Sequence, residues 1–239
     1  MSLHLGILRT DAVLDEFQDR FGDYPQMFRD LLLAVDGQLR FTEYDVRVAL
    51  PADFACDAYL ITGSRHSVYD DLPWIPALAD YVRTAMAQGR KILGICFGHQ
   101  LLAHFFGGHV APAPGGWAVG VHASTLTPRA WMGDDAPTAM ALLSSHKDQV
   151  QALPPTAQLY ASNTFCPLAG FTLGEAAITI QGHPEFAKPY AAALMNFRRE
   201  LLGEETFSAG MASLAHDTDS LQMARLLLDF ARPAVAASK

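Results

Sequence analysis

A cysteine with glycine two places to either side, in Lys91-Ile92-Leu93-Gly94-Ile95-Cys96-Phe97-Gly98-His99-Gln100, is the segment of this chain best suited to covalent chemistry. An apolar run that reads as a buried strand leads into it and a helical pattern leads out, so Cys96 falls at a strand-to-helix turn. Such a turn projects its middle side chain beyond the end of a sheet, and the flanking glycines remove Cβ atoms that would collide. A thiol there lies at the positive end of the helix dipole, which favours the nucleophilic thiolate. The Phe97 N–H belongs to a first helical turn, whose amides lack internal acceptors, and would face the oxygen of an attacked carbonyl. A second donor is expected from the Ser64 N–H after Thr62-Gly63, with Gly63 letting the backbone turn toward the site.

Two plainer readings of the segment stand beside this one. A buried cysteine is commonly a small hydrophobe. Cys96 and His99 could also be half of a zinc site, but zinc takes three or four ligands and no second clustered pair occurs, so no metal is expected and His99 is expected to pack on its helix.

A cysteine nucleophile needs a base, and Gln181-Gly182-His183-Pro184-Glu185 follows the strand-like run Ala177 to Ile180. Pro184 stiffens the turn, so His183 and Glu185, two apart in an extended segment, can point to one side and hydrogen bond. A carboxylate there would fix the imidazole tautomer and support the imidazolium formed during attack. Cys96, His183 and Glu185 are the expected nucleophile, base and orienting group.

The elements that must position these groups alternate between strand and helix. Leu3 to Leu8, Leu39 to Val46, Ala58 to Thr62 and Lys91 to Ile95 read as strands; Tyr24 to Val35, Trp74 to Gln88 and Gln100 to Phe106 read as helices, the last closed by a left-handed cap at Gly107-Gly108. This pattern predicts an α/β fold in three layers, a doubly wound, mostly parallel sheet with helices on both faces and function at the carboxyl ends of its strands. Val110 to Ile180 is expected to form further strands with long loops, one strand ending near Ser144-Ser145-His146. Lys188 to Leu202 and Ser220 to Ala231 are expected as helices packed on the sheet, with Pro233 ending the last and a frayed tail from Ala234 to Lys239.

The 239 residues, half of them hydrophobic, suit one domain spanning 1–239. A net charge of −8 offers no cationic footprint for nucleic acid or an anionic membrane. Met1 to Ile7 has no cationic leader pattern and no apolar run approaches the ~18 residues of a membrane span, so a cytoplasmic protein is expected. Cys56, Cys96 and Cys166 cannot all pair within one chain and show no CxxC spacing.

Taken together, these motifs resemble the class I glutamine amidotransferases, whose signature is a Gly-x-Cys-x-Gly elbow followed by Gln and a later His-Pro-Glu. Ile61-Thr62-Gly63-Ser64 looks like that family's oxyanion strand, and Ser145-His146-Lys147-Asp148-Gln149-Val150 resembles the Ser-His-x-Asp-x-Val segment of its GMP synthetase-like branch. The resemblance implies a flavodoxin-like fold and a triad of Cys96, His183 and Glu185. It further implies an oxyanion hole from the N–H groups of Ser64 and Phe97 and a glutamyl head group bound by Gln100, Ser145 and His146, with no cofactor.

Attack on a γ-carboxamide would leave a γ-glutamyl thioester on Cys96 that water hydrolyses. Such proteins commonly hand ammonia to a synthase, for which this chain has no room, so a synthase partner or a different small-molecule substrate is implied. The long Arg65 to Pro73 loop resembles stand-alone members and γ-glutamyl peptidases, and is expected to border the site unless it is merely a solvated connection. Ala118, in Gly116-Trp117-Ala118-Val119-Gly120, departs from the acidic residue relatives often carry. Three functions follow: a glutaminase delivering ammonia, a stand-alone γ-glutamyl hydrolase, or an idle binding module.

Overall fold

Four buried strands, His4–Arg9 (β1), Ala58–Ile61 (β3), Lys91–Ile95 (β4) and Ala177–Ile180 (β11), form the frame on which the chemistry is hung. The computed structural model describes residues 2–133 and 135–232; the predicted stop at Pro233 and the tail lie outside them. Arg40–Asp45 (β2) flanks β1, and β2-β1-β3-β4-β11 run parallel.

Because successive strand residues face opposite ways, Leu5, Ile7, Leu60, Leu93 and Ile95 enter one core, while Leu8, Tyr59, Ile61 and Ile92 enter the other. The first core is covered by Tyr24–Leu33 (α2, following Asp15–Phe21, α1) and Ser220–Ala231 (α8). The second is covered by Trp74–Ala87 (α3) and Phe97–Phe105 (α4). A sheet buried on both faces needs near-continuous apolar strands, which these are.

Beyond β11 the sheet continues antiparallel through Gly170–Leu173 (β10), Ala157–Ser162 (β9), Ala118–Leu126 (β6) and Ala139–His146 (β7), giving a nine-stranded sheet among the described residues. His109–Pro112 (β5) and Asp148–Ala152 (β8) pair separately. The antiparallel half curls back, so that Leu143 of β7 accepts a hydrogen bond from the His183 N–H at 2.8 Å just past β11.

Several elements differ from the sequence pattern, among them α1, which buries no residue and so shows no apolar periodicity. Helix α4 starts at Phe97, directly after Cys96 and before the Gln100 start that the apolar pattern suggests, although Gly98 in its first turn is a poor helix former. The segment 188–202 breaks at Arg198 into Lys188–Phe197 (α5) and Arg199–Leu202 (α6), because Arg198 takes φ −97° and ψ 10°. Glu204–Ser213 (α7) buries only Phe207 and Gly210, too few apolar positions to announce a helix. The cap at Gly107 forms as its residue type predicts, at φ 96°.

Candidate active site

At the end of β4 the chain turns through Cys96, whose φ of 49° and ψ of −95° make it the one non-glycine residue with positive φ among the described residues. Such a conformation costs of the order of 1–3 kcal/mol and persists only where its surroundings impose it. They do so through the two glycines. A Cβ on Gly94 would lie 2.8 Å from the Gly98 carbonyl group, and one on Gly98 would lie 2.8 Å from Ile61 Cβ and 2.9 Å from the Ile61 carbonyl oxygen. Helix α4 can therefore begin pressed against β3 and β4. Cys96 is 5% exposed and opens into a cavity of about 500 Å³.

The Cys96 N–H donates to the Ile180 carbonyl at 2.9 Å, which ties the elbow to the end of β11. Three residues on, His183 Nδ1 lies 2.7 Å from Glu185 Oε1, and its ring stacks on Phe186 with centroids 3.9 Å apart. A carboxylate oxygen accepts only, so Nδ1 carries the proton and Nε2 is the nitrogen free to accept one. Burial opposes the His183 charge, but the charges of Glu185 and Cys96 outweigh it and raise the imidazole above its ordinary value. Gln181 Nε2 donates to Cys96 Sγ at 3.5 Å. Cys56 and Cys166 are buried away from the cavity and burial raises both thiols, Cys166 to about 12.

Gly63 and Ser64 line the same cavity as Cys96 and His183. Gly63 is there for space rather than for a left-handed backbone: a Cβ on it would lie 2.8 Å from His183 Cε1 and 3.6 Å from Cys96 Cβ. Gln100 also lines the cavity, its amide donating to the Asp148 carbonyl at 2.7 Å and to Gln181 Oε1 at 3.1 Å. Ser145 and His146 reach the cavity from β7; Ser145 Oγ accepts from Arg198 at 3.0 Å, and neither His146 ring nitrogen has a partner in the protein. His146 is buried and held neutral, its pKa pushed down to about 3 by burial and by neighbouring histidines.

His99 turns away from Cys96, with Nδ1 2.8 Å from Thr179 Oγ1 and its ring against Phe171. Among the described residues no group of three or more His, Cys, Asp or Glu side chains is placed to hold a metal. No described helix is long and apolar enough to cross a membrane.

The loop after β3 borders the site. Arg65, His66, Ser67 and Tyr69 line the cavity. The loop is pinned at two points: Arg65 N–H and Nε both donate to Asp11 Oδ2 at 2.8 Å, and Ser67 Oγ and Tyr69 OH both donate to Asp148 Oδ2, the latter at 2.8 Å. Trp74 is part of the core as well, 5.5 Å from the Phe97 ring. Ala118 is buried opposite His146, while the adjacent Trp117 lines the cavity.

Residues with no motif of their own complete the walls. Arg198 at the α5–α6 break lies over Trp117 at 5.4 Å, and none of the ion pairs among the described residues involves it. Tyr24 and Tyr190, with hydroxyls 3.3 Å apart, stand on the same wall. No sequence spacing could have found Arg198, Tyr24 or Asp11, which converge from three separate elements.

Residues 22–198 match the family described as glutamine amidotransferase class-I. Gamma-glutamyl peptidase 3 of Arabidopsis thaliana is 33% identical over 178 residues, 72% of this chain and 68% of that protein. The glutamine-hydrolyzing GMP synthase of Thermomicrobium roseum is 34% identical over 149 residues, 60% of this chain but 26% of that protein. The crystal structure of a glutamine amidotransferase from Thermotoga maritima superposes with a TM-score of 0.71 at 16% identity, covering 96% of each chain, a likeness of fold. With three-quarters of its length in the family match and its α/β sheet in the same flavodoxin-like arrangement, the chain belongs to the class I glutamine amidotransferases.

Proposed function

We propose that the protein hydrolyses γ-glutamyl amide bonds with Cys96 as nucleophile, His183 as base and Glu185 as the group that orients it. The observation that carries this is the meeting, over one cavity, of a strained cysteine at a helix N-terminus with a histidine bound at 2.7 Å to a buried carboxylate. The Cys96 sulfur gives its proton to His183 and attacks the γ-carbonyl. The oxyanion that forms is held by the Phe97 and Ser64 N–H groups. His183 then protonates the departing amine as the C–N bond breaks, leaving a γ-glutamyl thioester. Water, deprotonated by His183, attacks the thioester, and collapse releases glutamate and restores the thiol. The bound products are one amine, or ammonia from glutamine, and one glutamate.

The cavity favours a leaving group larger than ammonia. At about 500 Å³ it lies within the range of sites that enclose ligands larger than one amino acid. Its outer wall carries Trp117, Phe197 and Leu201, and Arg198 is available to a substrate carboxylate. The likeness to a γ-glutamyl peptidase supports the same reading. The likeness to a GMP synthase supports the alternative, a glutaminase that passes ammonia to a synthase partner.

Mass-spectrometric detection of glutamate from glutamine and from a series of γ-glutamyl peptides, with and without cell extract, separates the two. Turnover of γ-glutamyl peptides by the purified protein supports the hydrolase. Turnover of glutamine alone, and only with extract, supports the partnered glutaminase. Absence of both, together with failure of a diazo-ketone glutamine analogue to label Cys96, would leave only a binding module.

A further inference from the structure

Thr10, just beyond β1, is fully buried and has no part in the chemistry above. It stands where the β1–β3 ladder is interrupted. Thr62 N–H still donates to the Leu8 carbonyl at 3.2 Å, but the next step is made by side chains: Thr10 N–H donates to Thr62 Oγ1 at 3.1 Å rather than to the Thr62 carbonyl. The Thr10 hydroxyl lies 2.9 Å from the Gly63 carbonyl oxygen, and the Thr62 hydroxyl lies 3.2 Å from the same oxygen. The two hydroxyls are 3.0 Å apart, and Thr10 Oγ1 is also 3.2 Å from the Thr62 carbonyl. Two fully buried hydroxyls thus converge on one peptide oxygen.

That oxygen belongs to the peptide unit that carries the Ser64 N–H. In a trans peptide the carbonyl and the N–H point to opposite sides of the chain. Fixing the Gly63 carbonyl against Thr10 therefore turns the Ser64 N–H away from β1, toward the side on which Gly63 faces Cys96 and His183. The following peptide is fixed too, because Asp11 Oδ2 holds the Arg65 N–H at 2.8 Å.

We propose that Thr10, supported by Thr62, is a positioning residue that orients the Ser64 amide as an oxyanion donor by holding the Gly63 carbonyl. The inference rests on the reading of Ser64 N–H as such a donor. Preorganisation of this kind matters because a donor fixed in advance needs no reorientation as charge develops, and loss of one oxyanion donor costs ~10²–10³ in kcat. A mis-aimed donor costs part of that.

Thr10→Val keeps the shape and removes the hydroxyl; Thr10→Ser keeps the hydroxyl. Three readouts are compared on the full chain: kcat and KM for a γ-glutamyl peptide, affinity for the γ-aldehyde analogue of glutamate, and the rate at which iodoacetamide alkylates Cys96. The aldehyde forms a tetrahedral adduct with an oxygen in the oxyanion position, whereas alkylation is a displacement at saturated carbon that needs no oxyanion hole. Thr10→Val is expected to lose about 10- to 100-fold in kcat and in aldehyde affinity, with KM and alkylation within about twofold of the parent. Thr10→Ser is expected to restore most of the loss.

Unchanged aldehyde affinity in Thr10→Val overturns the inference, as does an equal loss of alkylation, which would mean general damage to the elbow. If Thr10→Val does not fold, Thr62→Val is measured in the same way, with a smaller loss of about threefold to tenfold expected; no loss of aldehyde affinity there overturns the inference equally. A parent protein that alkylates at Cys96 but neither binds the aldehyde nor cleaves any γ-glutamyl substrate overturns the amidohydrolase reading itself, and the positioning role with it.

Discussion

His183 and Glu185 stand two residues apart and 2.7 Å apart, with the Glu185 side chain fully enclosed and one of its oxygens, Oε2, without a partner. An enclosed carboxylate with a single donor depends on that donor, and the donor's charge depends on it. Glu185→Gln is expected to lower kcat by about 10²–10³ and to move the pH–rate profile, since His183 loses a charge that raises it. His183→Asn is expected to cost more, ~10⁴ or beyond, as triad losses do. Steady-state kinetics from pH 5 to 10 check both, and the opposite ranking would reverse the assigned roles.

Of the three cysteines only Cys96 reaches the cavity. Cys96→Ala is expected to abolish turnover, while Cys56→Ala and Cys166→Ala keep activity within about twofold and lose stability by no more than a few kcal/mol. Glutamate release and urea unfolding of the three variants measure this.

Gly63 and Gly98 separate activity from stability. A Cβ at Gly63 presses on the His183 ring, a side chain that can tilt, so Gly63→Ala is expected to reduce kcat by about 10²-fold at little cost in stability. At Gly98 the obstruction includes the Ile61 backbone, which cannot move aside cheaply, and Gly98→Ala is expected to destabilise by about 1–3 kcal/mol. Thermal unfolding and kcat of the pair show whether the two effects divide in this way.

Arg198 and Lys147 are cationic groups on the cavity wall with no acidic partner among the described ion pairs, and Arg198 is the one that lies over Trp117. Arg198→Met keeps the apolar stem over Trp117 and removes the charge. An increase in KM of about tenfold or more with kcat within about threefold is expected, the loss of a charge-assisted hydrogen bond to a substrate carboxylate. Unaltered KM toward every substrate would remove Arg198 from substrate binding.

Burial holds both His99 and His146 down to about 3, so each is neutral when folded and protonated when unfolded between its folded and unfolded values. Over that window the unfolded chain binds more protons, and stability falls as pH falls from about 6.5, by roughly 1.4 kcal/mol per pH unit for each group. His183, raised in the folded state, has the opposite sign: its contribution is complete below about 6.5 and is lost as pH rises through its folded value. Urea unfolding at pH 7.5, 6.5, 5.5 and 5.0 is expected to show the acid loss, shallower by one proton in His99→Gln. Equal slopes would place the titration elsewhere.

The turn at Cys96, the pairing of His183 with Glu185 and the strand–helix alternation were legible in the amino-acid sequence because each is a local matter. Glycine spacing around Cys96, Pro184 between His183 and Glu185, and apolar runs of strand length depend on neighbours along the chain. What lay outside such patterns was decided by packing. Helix α7 buries two residues and has no clear periodicity, and the break at Arg198 follows no proline or glycine. The cavity walls are the clearest case: Asp11 from the end of β1, Tyr24 from α2, Asp148 from β8 and Arg198 from the α5–α6 break line one cavity, and the antiparallel half of the sheet reaches it by curling back until Leu143 bonds to His183. The sequence alone determined which side chains are offered for the proposed chemistry and on which kind of turn they sit; the tertiary structure decided what surrounds them, because contacts between distant segments depend on how whole elements stack and leave no spacing to read.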